Sequence, residues 1–335
     1  MKLKTAIIGM GKMGLIRKKV LETHPGFEIV AVCDNNEDLA KEYPNLIFSS
    51  DWQQILKLEL DSVFVCTYNY ISPDIICAAL NKGLHVFSEK PPGRYVSDIK
   101  KIITAEQATN NKVLKFGFNH RFHYAVMEAK AMIDSGRFGN ILWARGIYGK
   151  AGGLSFDKNW RSDPKLAGGG ILLDQGIHML DLMRYFLGDF AEIKSYVDNF
   201  HWKNVELEDN AFALMKTKTG KVAMVHSSAT QWKHKFSFDL FMENGYICID
   251  GILSSTRSYG EEKITFAKKQ FEDEAHAFGK PREETIYFDT DDSWRLEVEE
   301  FYDCIVGKKQ QPMGNSEDAL KVMELVEWVY EEGKE

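Results

Sequence analysis

Lys4–Gly14 reads KTAIIGMGKMG, and this stretch decides the fold. An apolar run, Thr5 to Ile8, has the composition of a buried strand and stops at Gly9. Gly9, Gly11 and Gly14 then follow at G-x-G-x-x-G spacing, and a helical pattern begins at about Leu15. The first glycine permits a tight turn, the second lets backbone approach a pyrophosphate, and the third lets helix pack close to strand. The helix N-terminus, with its unpaired amides, receives the negative charge. A second strand, Glu28–Cys33, ends at Asp34, twenty residues after Gly14, where a carboxylate can accept hydrogen bonds from an adenosine ribose. Strand, glycines, helix, strand and acid in register predict a dinucleotide site. Asp34 repels a 2′-phosphate, and Asn35, Asn36 and Glu37 bring no positive charge to offset it, so NAD is the expected cofactor.

Outward from this unit the α/β rhythm continues. Ser62–Thr67 (SVFVCT) is a near-continuous apolar run, as a parallel strand covered on both faces should be. A helix is expected over Pro73–Lys82, a strand over Leu84–Ser88, a helix near Ser97–Asn110 and a strand over Val113–Phe118. Leu84–Ser88 delivers Glu89-Lys90-Pro91-Pro92 at its carboxyl end, where ligands of open parallel sheets bind, so Lys90 is expected to face the cofactor crevice.

Gly168–Asp181 reads GGGILLDQGIHMLD and carries Asp174 and His178 four residues apart. On a helix that spacing puts both on one face, and a carboxylate near an imidazole suits the latter to act as a general base. The same pattern also decorates ordinary core helices.

With these residues in place the chain resembles the glucose-fructose oxidoreductase / inositol dehydrogenase / rhizopine catabolism (Gfo/Idh/MocA) oxidoreductases over nearly its whole length. The resemblance rests on GMGKMG with Asp34, EKP at Glu89–Pro91, NHRF at Asn119–Phe122 and GGGILLDQGIHMLDL at Gly168–Leu182. It implies an α/β protein: an N-terminal Rossmann NAD-binding domain, here residues 1–119, and a C-terminal α+β domain, residues 120–335. The second domain is expected to hold a large, mostly antiparallel sheet and to serve substrate binding and oligomerisation. It further implies hydride transfer between a nicotinamide and a hydroxyl or keto carbon of a sugar, a sugar derivative (nucleotide-linked ones included) or a cyclitol. By position, Lys90, Asp174 and His178 match the family's catalytic lysine, aspartate and histidine. Lys12 and Met13 in the glycine loop, with Thr67, Asn69, Glu89 and Lys90, match its cofactor contacts. Asn119, Arg121, Trp160 and Arg161 are candidate substrate contacts beside the three catalytic residues, although an arginine there can equally be a structural ion-pair partner. One departure stands out: the family often has Thr-Pro-Asn, two residues and a histidine after the fourth strand. Here Tyr68 replaces the proline and Ser72 the histidine.

The second half reads as strands at Ala144–Tyr148, Glu192–Asn199, Asn210–Thr217, Lys221–Thr230, Lys235–Met242 and Tyr246–Ile249. Asn244-Gly245 marks a hairpin. Arg257–Lys280, polar and weakly patterned, is expected to be irregular. Helices are expected over Asp292–Val306 and Ser316–Glu332, with Ser316 as N-cap.

Composition narrows the function classes. Of 335 residues 42 are basic and 49 acidic, a net charge of −7 that gives no footprint for nucleic acid or an anionic membrane. No apolar run approaches a membrane span, and a strand opens the chain where a signal peptide would have a longer apolar region. The five cysteines form no C-x-x-C and four lie in apolar surroundings, so a reducing, cytoplasmic setting is expected. His123, His201, His226, His234 and His276 show no clustered spacing, so no metal is assigned. A broad antiparallel sheet with one face needing cover predicts a homodimer or homotetramer. Two other readings stay open: a non-catalytic binding protein of the same fold, and a metal enzyme using Asp174 and His178. The second lacks a third ligand at suitable spacing.

Overall fold

Short runs of β-branched and aromatic residues alternate with helices through the first third of the chain. In the computed structural model, which describes residues 2–109, 111–153, 155–270 and 279–334, they form β1 (Leu3–Ile8), α1 (Lys12–Thr23), β2 (Phe27–Cys33), β3 (Ile47–Ser49), α2 (Trp52–Ile55), β4 (Ser62–Val65), α3 (Ser72–Asn81), β5 (His85–Ser88), α4 (Val96–Gln107) and β6 (Leu114–Phe116). The chain continues with α5 (Tyr124–Asp134), β7 (Ile141–Gly149), α6 (Pro164–Ala167), a π-helical turn (Leu172–Gly176) and α7 (Ile177–Leu187). Strands β8 (Phe190–Asp198), β9 (Asn210–Thr217), β10 (Val222–Ser228), β11 (Lys235–Met242), β12 (Gly245–Asp250), β13 (Glu262–Lys268) and β14 (Glu284–Phe288) follow, then α8 (Ser293–Ile305) and α9 (Ser316–Glu332).

The chain divides into two compact units. The first gathers Met1–Asn119, Lys165–Gly168 and Trp294–Glu324; the second gathers His120–Pro164, Gly169–Ser293 and Leu325–Glu335. Residues 294–324, which sequence reading groups with the second half, thus cluster with the nucleotide-binding fold.

The first unit is an all-parallel sheet in the order β3-β2-β1-β4-β5-β6. Strand order reverses between β1 and β2 on one side and β4 on the other, so the crevice for a ligand opens beyond the carboxyl ends of β1 and β4. The core is aromatic. Phe64 and Phe87 stack at 4.9 Å, and Phe301 from α8 meets both edge-on at 5.6 Å. All three are completely shielded, each worth roughly 1.5–3 kcal/mol of transfer free energy.

Charges lie inside this core as well. The buried Arg17 of α1 donates from Nε to Glu89 at 2.7 Å and from Nη2 to Glu297 at 2.7 Å, with its guanidinium 4.2 Å above the Phe87 ring. Burial alone would lower the Arg17 pKa, but Glu89 and Glu297 outweigh it and raise it above its ordinary value. Buried Lys115 of β6 donates to Glu300 at 2.6 Å and to the Met313 carbonyl at 2.7 Å. Glu297 and Glu300, three apart on α8, share one helix face and supply both counter-charges.

The second unit is an eight-stranded sheet, β14-β13-β12-β11-β7-β10-β9-β8, antiparallel at every pairing except β7 with β10. Helix α7 covers one face. Gly146 of β7 has no side chain because a Cβ there would lie 2.3 Å from the Met179 sulfur of α7. On the opposite face Trp143, Phe212, Leu214 and Met224 remain exposed, and Trp143 stacks on Phe241 at 4.1 Å.

Part of Arg257–Lys280 corrects the expectation of irregular structure. Glu262–Lys268 is a strand paired on both sides, with Ile264 and Phe266 buried. Charged residues at its ends hide its alternation, yet the buried Glu262 is satisfied: it accepts from His123 Nδ1 at 2.7 Å and from the amides of Ala125 (3.0 Å) and Leu253 (3.1 Å). The portion at 271–278, with His276, lies outside the described residues. Short β3 and the exposed edge strand β14 were not foreseen either. Among the described residues no helix is long and apolar enough to cross a membrane.

Candidate functional site

In the first unit the glycine loop divides its labour. Gly9 takes φ +96°, and a Cβ on it would lie 2.5 Å from the Cys66 carbonyl oxygen; one on Gly14 would lie 2.0 Å from the Gly9 carbonyl oxygen. Both glycines therefore serve the protein's own packing. Gly11 does not: a Cβ there meets nothing within 4 Å. It caps α1 without a side-chain hydrogen bond, so the helix opens onto free space with its first amides available. Asp34 accepts from the Met10 amide at 2.7 Å and from the Asn36 amide at 2.9 Å, tying the acid at the end of β2 to the loop. Its oxygens keep lone pairs for ribose hydroxyls. The empty space over Gly11, the open helix end and the tethered carboxylate fit an NAD. Lys12 and Met13 open α1 beside this space.

The loop after β4 shows what the departures from the family pattern do. Thr67 and Ser72 share a hydroxyl hydrogen bond of 3.0 Å, and Ser72 Oγ also donates to the Tyr68 carbonyl at 3.0 Å. The serine in the histidine's place closes the turn on itself. Asn69, buried, donates to the Ala167 carbonyl at 2.8 Å, and Tyr68 stands exposed beside Tyr70. Glu89 turns inward to Arg17, so its carboxylate belongs to the buried charge cluster. Lys90 follows it, half-buried, with a cis peptide to Pro91. Asn119 is buried at the end of this unit.

In the second unit Gly169 and Gly170 lead into the π-helical turn that carries Asp174, and π-turns inside helices recur at functional sites. Asp174 accepts from Arg161 Nε at 2.8 Å and from Lys150 Nζ at 2.9 Å. These contacts come from a 3₁₀ turn, Trp160–Ser162, and from the residue after β7, so the four-residue spacing to His178 could not foretell them. Trp160 lies under the Arg161 guanidinium, 4.4 Å from its ring centroid. His178, buried on the first turn of α7, stacks on His120 at 3.8 Å and 16°, and His120 Nε2 lies 3.1 Å from the Tyr148 hydroxyl. Arg121 is held by Asp181 in a buried two-point ion pair, 2.8 and 2.6 Å, which is the structural role left open for it.

A cavity of about 270 Å³ lies against Lys150, Phe156, Arg161, Asp174 and Glu208. Glu208 is a residue that sequence reading missed. Its carboxylate accepts from the amides of Gly170 (2.8 Å) and Leu172 (3.0 Å) and from the Tyr330 hydroxyl (2.9 Å). The Gly170 carbonyl in turn accepts from the Asp174 amide at 2.9 Å, so the clasp is one hydrogen bond from the candidate catalytic acid. Burial pushes the Glu208 pKa from 4.5 up to about 7 despite these donors. The glycines now have a reason: a Cβ on Gly169 would lie 2.5 Å from the Tyr330 hydroxyl, and one on Gly170 would lie 2.2 Å from the Glu208 carbonyl oxygen. No local signal marks Glu208, because its partners are 36 to 122 positions away in sequence. Among the described residues no three His, Cys, Asp or Glu side chains converge as a metal site would require.

Comparison with known proteins agrees with both units. Residues 3–117 match the family model described as an oxidoreductase family with an NAD-binding Rossmann fold, and residues 126–248 match the GFO/IDH/MocA C-terminal domain. The chain is 27% identical over 228 residues to inositol 2-dehydrogenase of Salmonella typhimurium, a match covering 66% of this chain and 65% of that enzyme. It is 32% identical over 201 residues to D-glucoside 3-dehydrogenase of Escherichia coli, covering 58% and 56%. The chain thus spans less than two thirds of the length of these relatives. Among solved structures, levoglucosan dehydrogenase in complex with NADH superposes with a TM-score of 0.86 at 21% identity, covering 100% of this chain and 97% of the other, a likeness of fold. With both units matched in order along one chain, the protein belongs to the Gfo/Idh/MocA family of NAD-binding oxidoreductases, related to sugar and inositol dehydrogenases.

Proposed function

We propose that the protein oxidises or reduces a hydroxyl or keto carbon of a sugar, sugar derivative or cyclitol, with NAD preferred over NADP. The observation that carries this reading is the Asp174 carboxylate, fixed by Lys150 and Arg161 on a π-turn that runs directly into His178. A nicotinamide, when bound, accepts or gives the hydride. The protein's own part is acid–base and electrostatic. His178 takes the hydroxyl proton in the oxidation direction and returns it in reduction. Asp174, immobilised by its cations, accepts a hydrogen bond from a substrate hydroxyl and sets the ring's orientation. Lys90 donates to the reacting oxygen and stabilises developing alkoxide character. Arg161, Trp160 and the cavity beside them hold the remainder of the substrate. A cavity of about 270 Å³ lies just below the usual range for small-molecule sites and suits a single sugar ring. Asp34, with no neighbouring base, favours NAD.

Turnover with NAD, followed as NADH absorbance with myo-inositol, D-glucosides and levoglucosan as probes, tests the reading. Binding of NAD with no hydride transfer to any sugar or cyclitol would instead favour a regulatory, dinucleotide- or sugar-binding role. We also propose that the apolar sheet face bearing Trp143, Phe212, Leu214 and Met224 is covered by a second copy of the chain. A monomer throughout a sedimentation concentration series would reject that.

A further inference from the structure

Tyr259 has two sides. Its hydroxyl is hydrogen-bonded to the Gln175 side-chain amide, one residue past Asp174, and its ring meets Tyr148 at 5.4 Å. It also lines a second cavity of about 480 Å³, at the start of β11, the end of β12 and the loop leading into β13. The two cavities share a wall: Lys150 of the first accepts, through its carbonyl, from the amide of Gln231 of the second at 3.0 Å. Their charge states differ. Around the first cavity both cations are engaged by Asp174. Lys233, Lys235, Arg257 and Lys263 line the second, against Asp250 and Glu261. None of these four cations is ion-paired among the described residues. A lining with two positive charges in excess, on a chain of net charge −7, focuses an attractive potential for an anion.

The backbone gives an independent sign. Arg257 is held at φ +51°, a left-handed conformation that residues with a Cβ avoid. Tight turns on each side fix it: its amide donates to the Ser254 carbonyl at 2.9 Å, and its carbonyl accepts from the Gly260 amide at 3.3 Å. Glycine would serve the fold better at 257, and an arginine at so strained a position points to a use for its guanidinium. Gly260, also left-handed at φ +86°, leaves open space where a Cβ would be, so its backbone is approachable from the cavity.

We propose that this second cavity is an anion subsite that takes a phosphoryl group carried by the substrate, so that the physiological sugar is a phosphate ester rather than a neutral polyol. The assignment of the anion to the substrate rests on the reading above that a sugar ring occupies the cavity at Asp174. A phosphate ester suits the lining because its charge of nearly −2 matches the excess, and its three outer oxygens can take donors from several directions.

Calorimetric titration in excess NADH, which fills the glycine loop, tests this with glucose, glucose 1-phosphate and inorganic phosphate as probes. Glucose 1-phosphate should bind at least ~10-fold more tightly than glucose, an advantage that shrinks as salt is raised. Inorganic phosphate should compete with it. Arg257→Gly should abolish the advantage while melting no lower than wild type, because glycine relieves the left-handed strain. Equal binding of the two sugars, or an advantage that survives both Arg257→Gly and Lys235→Gln, would overturn the proposal. Inorganic phosphate that promotes glucose binding would also overturn it, assigning the site to a free anionic effector. If no sugar binds but inorganic phosphate still binds wild type better than Arg257→Gly, the anion site stands and the sugar-dehydrogenase reading fails.

Discussion

Two glycine-rich turns enter helices in this molecule, and they use their glycines for opposite ends. At Gly9–Gly14 the middle glycine faces empty space, so the anion that the helix end attracts must come from outside. At Gly168–Gly170 the space is taken by the Tyr330 hydroxyl and by Glu208, whose carboxylate sits on the Gly170 and Leu172 amides. The first turn is built to be completed by a ligand; the second is completed by the protein. Glycine content alone does not tell a binding loop from a tightly packed one. What a Cβ would meet does.

The largest effect that could break this contrast is catalytic. His178→Ala should lower kcat by ~10²–10⁴-fold while NADH affinity, set at the other turn, stays unchanged. A variant keeping a third of wild-type turnover would demote His178 to packing. Next comes the protonation of Glu208. Its folded pKa, about 7, lies above the ordinary 4.5, so between these values the folded protein binds more protons than the unfolded chain. Stability from this group is therefore full below pH 4.5 and is lost as pH rises to about 7. The unfolding constant should rise by up to ~10-fold per pH unit in that window. Glu208→Gln should flatten this part of a pH series of denaturant titrations; an unchanged series would mean that Glu208 does not titrate there.

Two glycine substitutions sharpen the comparison directly. Gly11→Val should weaken NADH binding by more than ~10-fold, because the side chain fills the ligand's space, with the apo melting temperature held within about 2 °C. Gly170→Ala should do the reverse: NADH affinity unchanged, but stability lower by ~1–3 kcal/mol as the methyl presses on the Glu208 carbonyl. The same outcome for both would erase the distinction. The smallest effect is cofactor choice. NAD(H) should bind at least ~10-fold more tightly than NADP(H), about 1.4 kcal/mol; equal affinities by calorimetry would remove Asp34 as the discriminator.

What could be read in the sequence follows from the range of the interactions involved. The Asn210–Thr217 and Lys235–Met242 strands and the Ser316–Glu332 helix are governed by neighbours in the chain, and their bounds agree with the structure. The glycine loop was legible too, although α1 starts at Lys12, three residues before the expected Leu15. The strand Glu262–Lys268 was hidden because its polar ends are neutralised by distant partners such as His123. The π-turn, the two cations on Asp174 and the Glu208–Tyr330 contact are likewise products of tertiary packing. In the candidate site the sequence pointed to Asp174 and His178, but not to what holds them: Lys150 lies 24 positions from Asp174 and His120 comes from a separate 3₁₀ turn.

The buried charges of the nucleotide-binding unit have a consequence in time. Lys115 is buried in its parallel sheet, yet its carboxylate partner Glu300 lies 185 positions further along the chain. At synthesis rates of about 5–20 residues per second, roughly 10–40 s separate the emergence of Lys115 from that of its counter-charge. Arg17 meets Glu89 early, but through that interval collapse of the parallel sheet would bury the Lys115 ammonium without its carboxylate, which is costly. The β6 side of this sheet is therefore expected to finish packing only once α8 has emerged, late in synthesis.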